Sequence, residues 1–155
     1  MRTTSVNTDA ALIEVSTPAH ILESILAALN QGKVSEVADQ FDDHFTFIDH
    51  ALDIGFTEKD HLIEFFHKSR ELFPDSAMKV DSAFACGDHA VAMWKLTATQ
   101  TESYGSHHYR FPIMVEGLTI ISVKNGRVVR WSDYYDRMTS RRVGLASFFK
   151  KWIEY

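Results

Sequence analysis

In the segment Arg127 to Asp136, RVVRWSDYYD, the residues Val129, Trp131, Asp133 and Tyr135 alternate with Val128, Arg130, Ser132, Tyr134 and Asp136. Read as a strand, this places Asp133 between two aromatic rings on one face. Phe45, Phe47 and Asp49 share a face in the same way, so Asp49 ends an aromatic row. A strand with one buried face carries apolar residues at alternate positions, and a carboxylate in that register is out of place. In an apolar pocket, desolvation disfavours the charged form and raises the pKa, which prepares a general acid or base for work near neutrality. The alternative is structural: each carboxylate lies past the end of its strand in water, or pairs with Arg130 or Arg137.

Lys95 is the candidate third member. It shares a strand face with Val91, Met93 and Thr97, and a buried ammonium there needs a carboxylate, for which Asp133 or Asp49 is available. The eight histidines, His20, His44, His50, His61, His67, His89, His107 and His108, form no HxxxH or HExxH pattern, and Cys86 is the only cysteine. The sequence thus has no metal-ligand spacing, and neither a metal nor a cofactor is expected. His50 beside Asp49 and the His107-His108 pair are candidates for a pocket rim. No phosphate-binding glycine loop or nucleophile motif is present.

The elements that would hold these residues follow from periodicity. Residues 1–16 lack a sustained period and are expected to form an N-terminal arm to a single domain spanning 17–155. Thr17 and Pro18 predict a helix start, Ile21, Leu22, Ile25, Leu26 and Leu29 recur at helical spacing, and Gly32 predicts its end. A short helix is expected from Ser35 to Phe41, then a strand over 44–49. Thr57, with Asp60 three residues on, resembles a capping box and opens a third helix to about Phe73, closed by Pro74. Beyond Pro74 the period is two, with strands expected over 77–86, 89–100, 109–124 and 127–137. Asn125-Gly126 predicts a two-residue hairpin, and Gly117 is a candidate bulge. From Met138 the tail reads as a short helix or an irregular flap. Three helices before a run of antiparallel strands predict an α+β fold rather than alternating βαβ units.

Composition narrows the class. With 155 residues, 45% apolar, 21 acidic and 16 basic side chains and a net charge of -5, the chain reads as one soluble domain able to build a core without disulfides. The acidic balance argues against nucleic acid as a partner. No apolar run reaches the roughly 20 residues of a spanning helix, and the polar start MRTTSVNTDA lacks a secretory core, so no membrane partner is expected and the expected address is cytoplasmic. Residues 1–75 carry 14 acids and 5 bases and residues 76–155 carry 7 acids and 11 bases, so the two halves are expected to attract one another. The 11 Phe, 5 Tyr and 3 Trp supply enough ring surface to line a cavity as well as fill a core.

GRVVRWSDYYD, Gly126 to Asp136, resembles the final strand of the nuclear transport factor 2-like superfamily, closest to its limonene epoxide hydrolase and SnoaL-type polyketide cyclase branches. LAALNQGKVSEVADQFDDHFTFID, Leu26 to Asp49, is similar to the opening helices and first strand of the same superfamily, including its ketosteroid isomerase branch. The resemblance covers residues 18–140 in order. It implies a cone-shaped, curved antiparallel sheet wrapped around three N-terminal helices, with an apolar pocket, commonly in dimers. Asp133 matches the water-activating aspartate of the epoxide hydrolases. Lys95 falls where that family has an arginine and Thr97 where it has a second aspartate, while Phe47 and Asp49 fall at its tyrosine and asparagine. A lysine is a point charge rather than a planar fork, so epoxide hydrolysis is disfavoured. Asp49 matches the general base of ketosteroid isomerases, whose oxyanion donors fall near Ile25 and Thr119.

These readings combine into a small-molecule enzyme that carries out cofactor-free isomerisation, cyclisation or hydration of a hydrophobic substrate in the cone pocket. Asp133 is the expected general base and Asp49 the second acid or base, with Lys95 orienting or neutralising a carboxylate or enolate. Leu26, Phe47, Met93, Trp94, Thr97, Val115, Trp131 and Tyr135 are the expected substrate-binding residues. The alternative is a non-catalytic ligand-binding or protein-assembly module of the same fold. A homodimer is expected in either case, because a curved sheet with an apolar outer face seeks a partner.

Overall fold

The structure is a computed structural model that describes residues 16–104 and 106–136. The tail, with Arg137, and all but the last residue of the expected N-terminal arm lie outside the described residues. Helix α1 (Pro18–Asn30) begins as its sequence requires: the Thr17 hydroxyl accepts from the His20 amide at 3.3 Å, and Pro18 occupies the first turn, where no amide is needed. Its stripe of Ile21, Leu22, Ile25, Leu26 and Ala28 is buried, and Gly32, at φ +71°, takes the left-handed turn that ends it. Helix α2 (Val34–Ala38) is shorter than expected. Phe41 leaves it for strand β1 (Phe41–Asp49), where its fully buried ring packs on Phe45 at 5.1 Å and Trp131 at 5.8 Å. Tertiary packing of one ring thus overrides local helical spacing.

Strand β2 (Ile54–Phe56), three residues long, is too short to show a period and has no counterpart among the expected elements. Helix α3 (Lys59–Leu72) starts one residue later than a Thr57 cap would place it. Glu58 is the N-cap, without a side-chain capping bond, and the Thr57 hydroxyl reaches only the Glu58 carboxylate at 3.5 Å. Strand β3 (Ala77–Cys86) has the expected limits. Strands β4 (His89–Tyr104) and β5 (His107–Lys124) run further into their shared hairpin than expected, and β6 (Arg127–Tyr135) closes the set. Asn125 at φ +52° and Gly126 at φ +74° both adopt the left-handed conformation that a tight hairpin turn demands.

The six strands form one sheet in the order β2-β1-β6-β5-β4-β3, antiparallel throughout except for the parallel β1–β6 pair. The three helices pack on one face of it, and the core lies between, with α1 against β3 and β4. This is the α+β class that the order of elements predicts. Among the described residues no helix is long and apolar enough to cross a membrane. Ion pairs such as Lys59–Asp43 and Lys95–Glu116 each join groups of the same half of the chain, so these pairs do not stitch the acidic half to the basic one.

Register shifts bend the sheet at places other than the expected one. Pairing is continuous through Gly117; it slips at Asp81 in β3 and at Val129 in β6, where one extra residue sits in the strand, and more widely in β1 between Phe41 and Thr46. The Val129 bulge changes the face assignment: Val128, not Val129, is fully buried with Trp131 in the core.

Candidate active site

The parallel register pairs Asp49 on β1 with Asp133 on β6, directly side by side. Side chains at paired positions of neighbouring strands share a face, here the helix-covered one, so two carboxylates meet over an aromatic floor. Phe47 and Trp131, one step back on the same strands, stack at 6.2 Å, and Phe56 and Phe65 each lie about as close on Phe47, at 5.5 Å. The chain turns immediately after β1, and Asp49 holds that turn. Its Oδ1 accepts from the Ala51 amide at 3.0 Å and the Leu52 amide at 2.8 Å, while Oδ2 accepts from the Tyr135 hydroxyl at 2.9 Å. Asp49 is 4% exposed, and both of its oxygens are committed.

Asp133 is held differently. The Trp94 indole N–H donates to Thr119 Oγ1 at 2.9 Å, and the Thr119 hydroxyl donates to Asp133 Oδ1 at 2.5 Å. Thr119 has one proton to give, and because Trp94 occupies its acceptor side that proton goes to Asp133. Oδ1 is therefore an acceptor whether or not the carboxyl is protonated, and Oδ2 is the oxygen that takes and releases a proton. The His50 amide fixes the Asp133 backbone by donating to its carbonyl at 3.0 Å.

Electrostatics separates the two acids. Burial pushes Asp133 up to about 7, helped by the neighbouring charge of Asp49 and opposed by the Thr119 hydroxyl and, more weakly, by the Trp131 indole. The Trp131 N–H lies near this carboxyl without hydrogen-bonding geometry. Asp49 is also raised by burial, but the Leu52 and Ala51 amides and the Tyr135 hydroxyl all favour its ionised form. Tyr135, buried and bonded to that carboxylate, is held well above the ordinary phenol range and stays protonated. The arrangement is one anchored carboxylate beside one that exchanges its proton near neutral pH.

Both acids open onto a cavity of about 180 Å³, lined by apolar side chains of α1, α3, the turn after β1 and the inner sheet face, among them Leu29, Leu52, Phe65, Phe66, Leu96 and Val115. Of the expected substrate-binding residues, Trp94, Val115 and Tyr135 line this cavity. Leu26, Phe47 and Trp131 are buried in the core and do not reach it. Met93, Lys95 and Thr97 are corrected: they project from the opposite face of β4, because the inward parity belongs to Ala90, Ala92, Trp94, Leu96 and Ala98. Lys95 pairs with Glu116, its cross-strand partner, at 2.7 Å and meets neither aspartate. From Ala90 to Gln100 the inward parity of β4 carries no charged residue, which is a signal present in the sequence. At Ile25, buried in the core, there is no oxyanion donor, and Thr119 has its hydroxyl committed to Asp133. Among the described residues no group of histidine, cysteine and carboxylate side chains could hold a metal ion.

Gly117 has a role other than a bulge. A Cβ there would sit 2.6 Å from Trp94 Cη2 and 2.7 Å from the Tyr134 carbonyl oxygen, so the missing side chain makes room for the indole that starts the relay. Gly117→Ala is expected to displace Trp94 and to cost about 1–3 kcal/mol of stability. Denaturant unfolding checks this, and a change below about 0.5 kcal/mol would contradict it.

Residues 22–131 match the family model described as SnoaL-like domain. Similar solved structures include a "putative SnoaL-like polyketide cyclase" from Shewanella putrefaciens CN-32, with 14% identity, 94% of this chain and 98% of that one covered, and a TM-score of 0.69. An NTF2-like protein from Burkholderia thailandensis E264 has 13% identity, 83% and 97% coverage and a TM-score of 0.70. A protein with a ketosteroid isomerase-like fold from Catenulispora acidiphila DSM 44928 has 18% identity, 77% and 87% coverage and a TM-score of 0.66. The chain has no significant match among curated proteins.

Proposed function

The chain belongs to the SnoaL-like family, and from that premise we propose that it is a cofactor-free acid/base enzyme acting on a small, largely apolar molecule. Asp133 is the proton-transfer group, through Oδ2. Asp49 is its charged neighbour, and its place in the β1 turn makes it a positioning and tuning group rather than the primary base. The observation that carries this reading is the Asp49–Asp133 pair at the cavity, two neighbouring carboxyls both raised by burial, Asp133 to about 7. A carboxyl of that kind removes a proton alpha to a carbonyl, returns it elsewhere, or activates a water, so the reaction classes are isomerisation, cyclisation and hydration.

Epoxide hydrolysis by an aspartate–arginine–aspartate arrangement stays disfavoured. The inward residues of β4 at the relevant positions are Trp94 and Leu96, neither of which can supply it. A pure assembly module is less well supported than an enzyme or ligand carrier, since the cavity persists and Lys95 does not neutralise Asp133. Solvent-deuterium exchange into an apolar ketone with enolisable protons tests the proposal. Exchange catalysed by the protein and lost in Asp133→Asn supports it, whereas ligand binding without exchange returns the chain to the carrier reading.

The same proposal includes a homodimer in the cytoplasm. The outer sheet face exposes Phe84, Met93, Met114, Ile120 and Tyr134 on neighbouring strands, apolar side chains that a second copy would cover. Light scattering is expected to give twice the 17.7 kDa chain mass, and a mass equal to one chain would overturn this part.

A further inference from the structure

The cavity has a second polar end. Ser69 and Arg70, in the last turns of α3, line it together with Asn30, Ser76 and Met78. Most of these polar groups are already satisfied. Asn30 uses its amide on the Met78 backbone, donating to the carbonyl at 2.6 Å and accepting from the amide at 2.7 Å, and the Ser69 hydroxyl donates back to the Phe65 carbonyl at 2.8 Å. Arg70 is the exception. One nitrogen, Nη1, donates to the Ser76 carbonyl at 2.9 Å and to its hydroxyl at 3.4 Å, and this fixes the guanidinium in place. Among the described residues nothing accepts from Nε or Nη2, and no carboxylate pairs with Arg70.

The sheet register sets how far this end is from Asp133. Met78 pairs with Leu96 and Leu96 with Val115, whereas Asp133 pairs with Thr119, four residues further along β5. Four residues of extended strand span about 14 Å. A guanidinium fork and a proton-exchanging carboxyl therefore stand at opposite ends of one apolar cavity. A fixed guanidinium with free donors, lining a mostly apolar cavity, favours a planar, bidentate anion over any neutral group.

We propose that the ligand is an elongated apolar carboxylate, its acid group bound by Arg70 and its reacting carbon placed at Asp133. This inference rests on the acid/base reading for the second end only; recognition of the anion by Arg70 is separable from it. Ser76 would help by holding the guanidinium rather than by touching the ligand.

Calorimetric titration of the full chain with decanoate and with decan-1-ol, above pH 7, tests it. The wild type is expected to bind decanoate at least about tenfold more tightly than the alcohol. Arg70→Gln is expected to erase that preference while leaving the alcohol's affinity within about twofold, and Arg70→Lys to restore part of it. Because loss of the Ser76 contact can loosen the helix end, thermal unfolding of each variant is read alongside, and the Lys variant serves if the Gln variant fails to fold. Equal affinity for acid and alcohol in the wild type, or an acid preference that survives in Arg70→Gln, overturns the anion site and leaves the Asp133 reading standing. No binding of either probe overturns both.

Discussion

Asp133→Asn is expected to lower turnover by about 10²- to 10⁴-fold and, at the same time, to raise the melting temperature at pH 8. The first effect follows because an amide cannot take a proton at the position of Oδ2. The second follows from the direction in which folding moves this carboxyl. Asp133 is raised on folding from 3.8 to about 7, so the folded state holds its proton more tightly than the unfolded chain does. The stabilisation from that protonated form is complete below about pH 4 and is lost as pH rises through about 7. At pH 8 the native protein contains a part-buried, ionised carboxylate next to another, which disfavours the folded state, since each tenfold gain in proton affinity on folding corresponds to about 1.4 kcal/mol. The asparagine keeps an acceptor for the Thr119 hydroxyl and removes that cost, so its stability should decline less between pH 4 and 8 than that of the wild type. Chemical denaturation across this range is the measurement. A variant that is inactive but no more stable at pH 8 than the wild type would show that Asp133 is not held in a raised state. A variant that is stable and fully active would remove it from the chemistry.

Asp49→Asn is expected to shift the acidic limb of the pH–rate profile toward lower pH. The charge of Asp49 is the second cause, after burial, of the raised Asp133 pKa, and its removal lets Asp133 ionise more easily. Turnover at pH 6 should therefore rise relative to turnover at pH 8, where the weaker base works less well. The amide oxygen of the asparagine can still accept from Ala51 and Leu52, so the turn after β1 is retained. Asp49→Ala lacks that oxygen and leaves two buried amides and the Tyr135 hydroxyl without their partner. It is expected to lose roughly 2–5 kcal/mol, as buried hydrogen-bonding groups stripped of partners do. The comparison separates the two roles of Asp49: a profile that stays put in the Asn variant would mean the carboxylates are not coupled, and equal stability of the Asn and Ala variants would mean the turn does not depend on this side chain.

The path from sequence to site was legible where strand parity held. Asp133 and Asp49 stood out because each interrupts an apolar or aromatic register, and both line the cavity. Trp131 and Tyr135 flank Asp133 as alternation requires, although the bulge at Val129 put Val128 rather than Val129 inside. For β4 the expected site residues come from both faces, and only Trp94 lies on the inner one. Val91, Met93, Lys95 and Thr97 look functional because they include a lysine, but the face with no charge, from Ala90 to Ala98, is the one that is buried. Reading charge as a sign of chemistry outweighed the simpler rule that an uninterrupted apolar face points inward.

What the sequence alone determined was the order and kind of every element but β2, the hairpin at Asn125-Gly126, and the two carboxylates out of place in apolar strands. These depend on neighbours a few residues apart, and periodicity reports them directly. Only the tertiary structure decided which groups act together. The parallel β1–β6 pairing brings Asp49 to Asp133 across 84 positions of chain. Register across β4, β5 and β6 assembles the Trp94–Thr119–Asp133 relay, with Gly117 clearing room for the indole. The last turns of α3 set Arg70 facing the same cavity from the other end. None of these meetings has a local signature, because each is set by how strands pair and by which helix covers the sheet, and long-range pairing leaves no period in the chain.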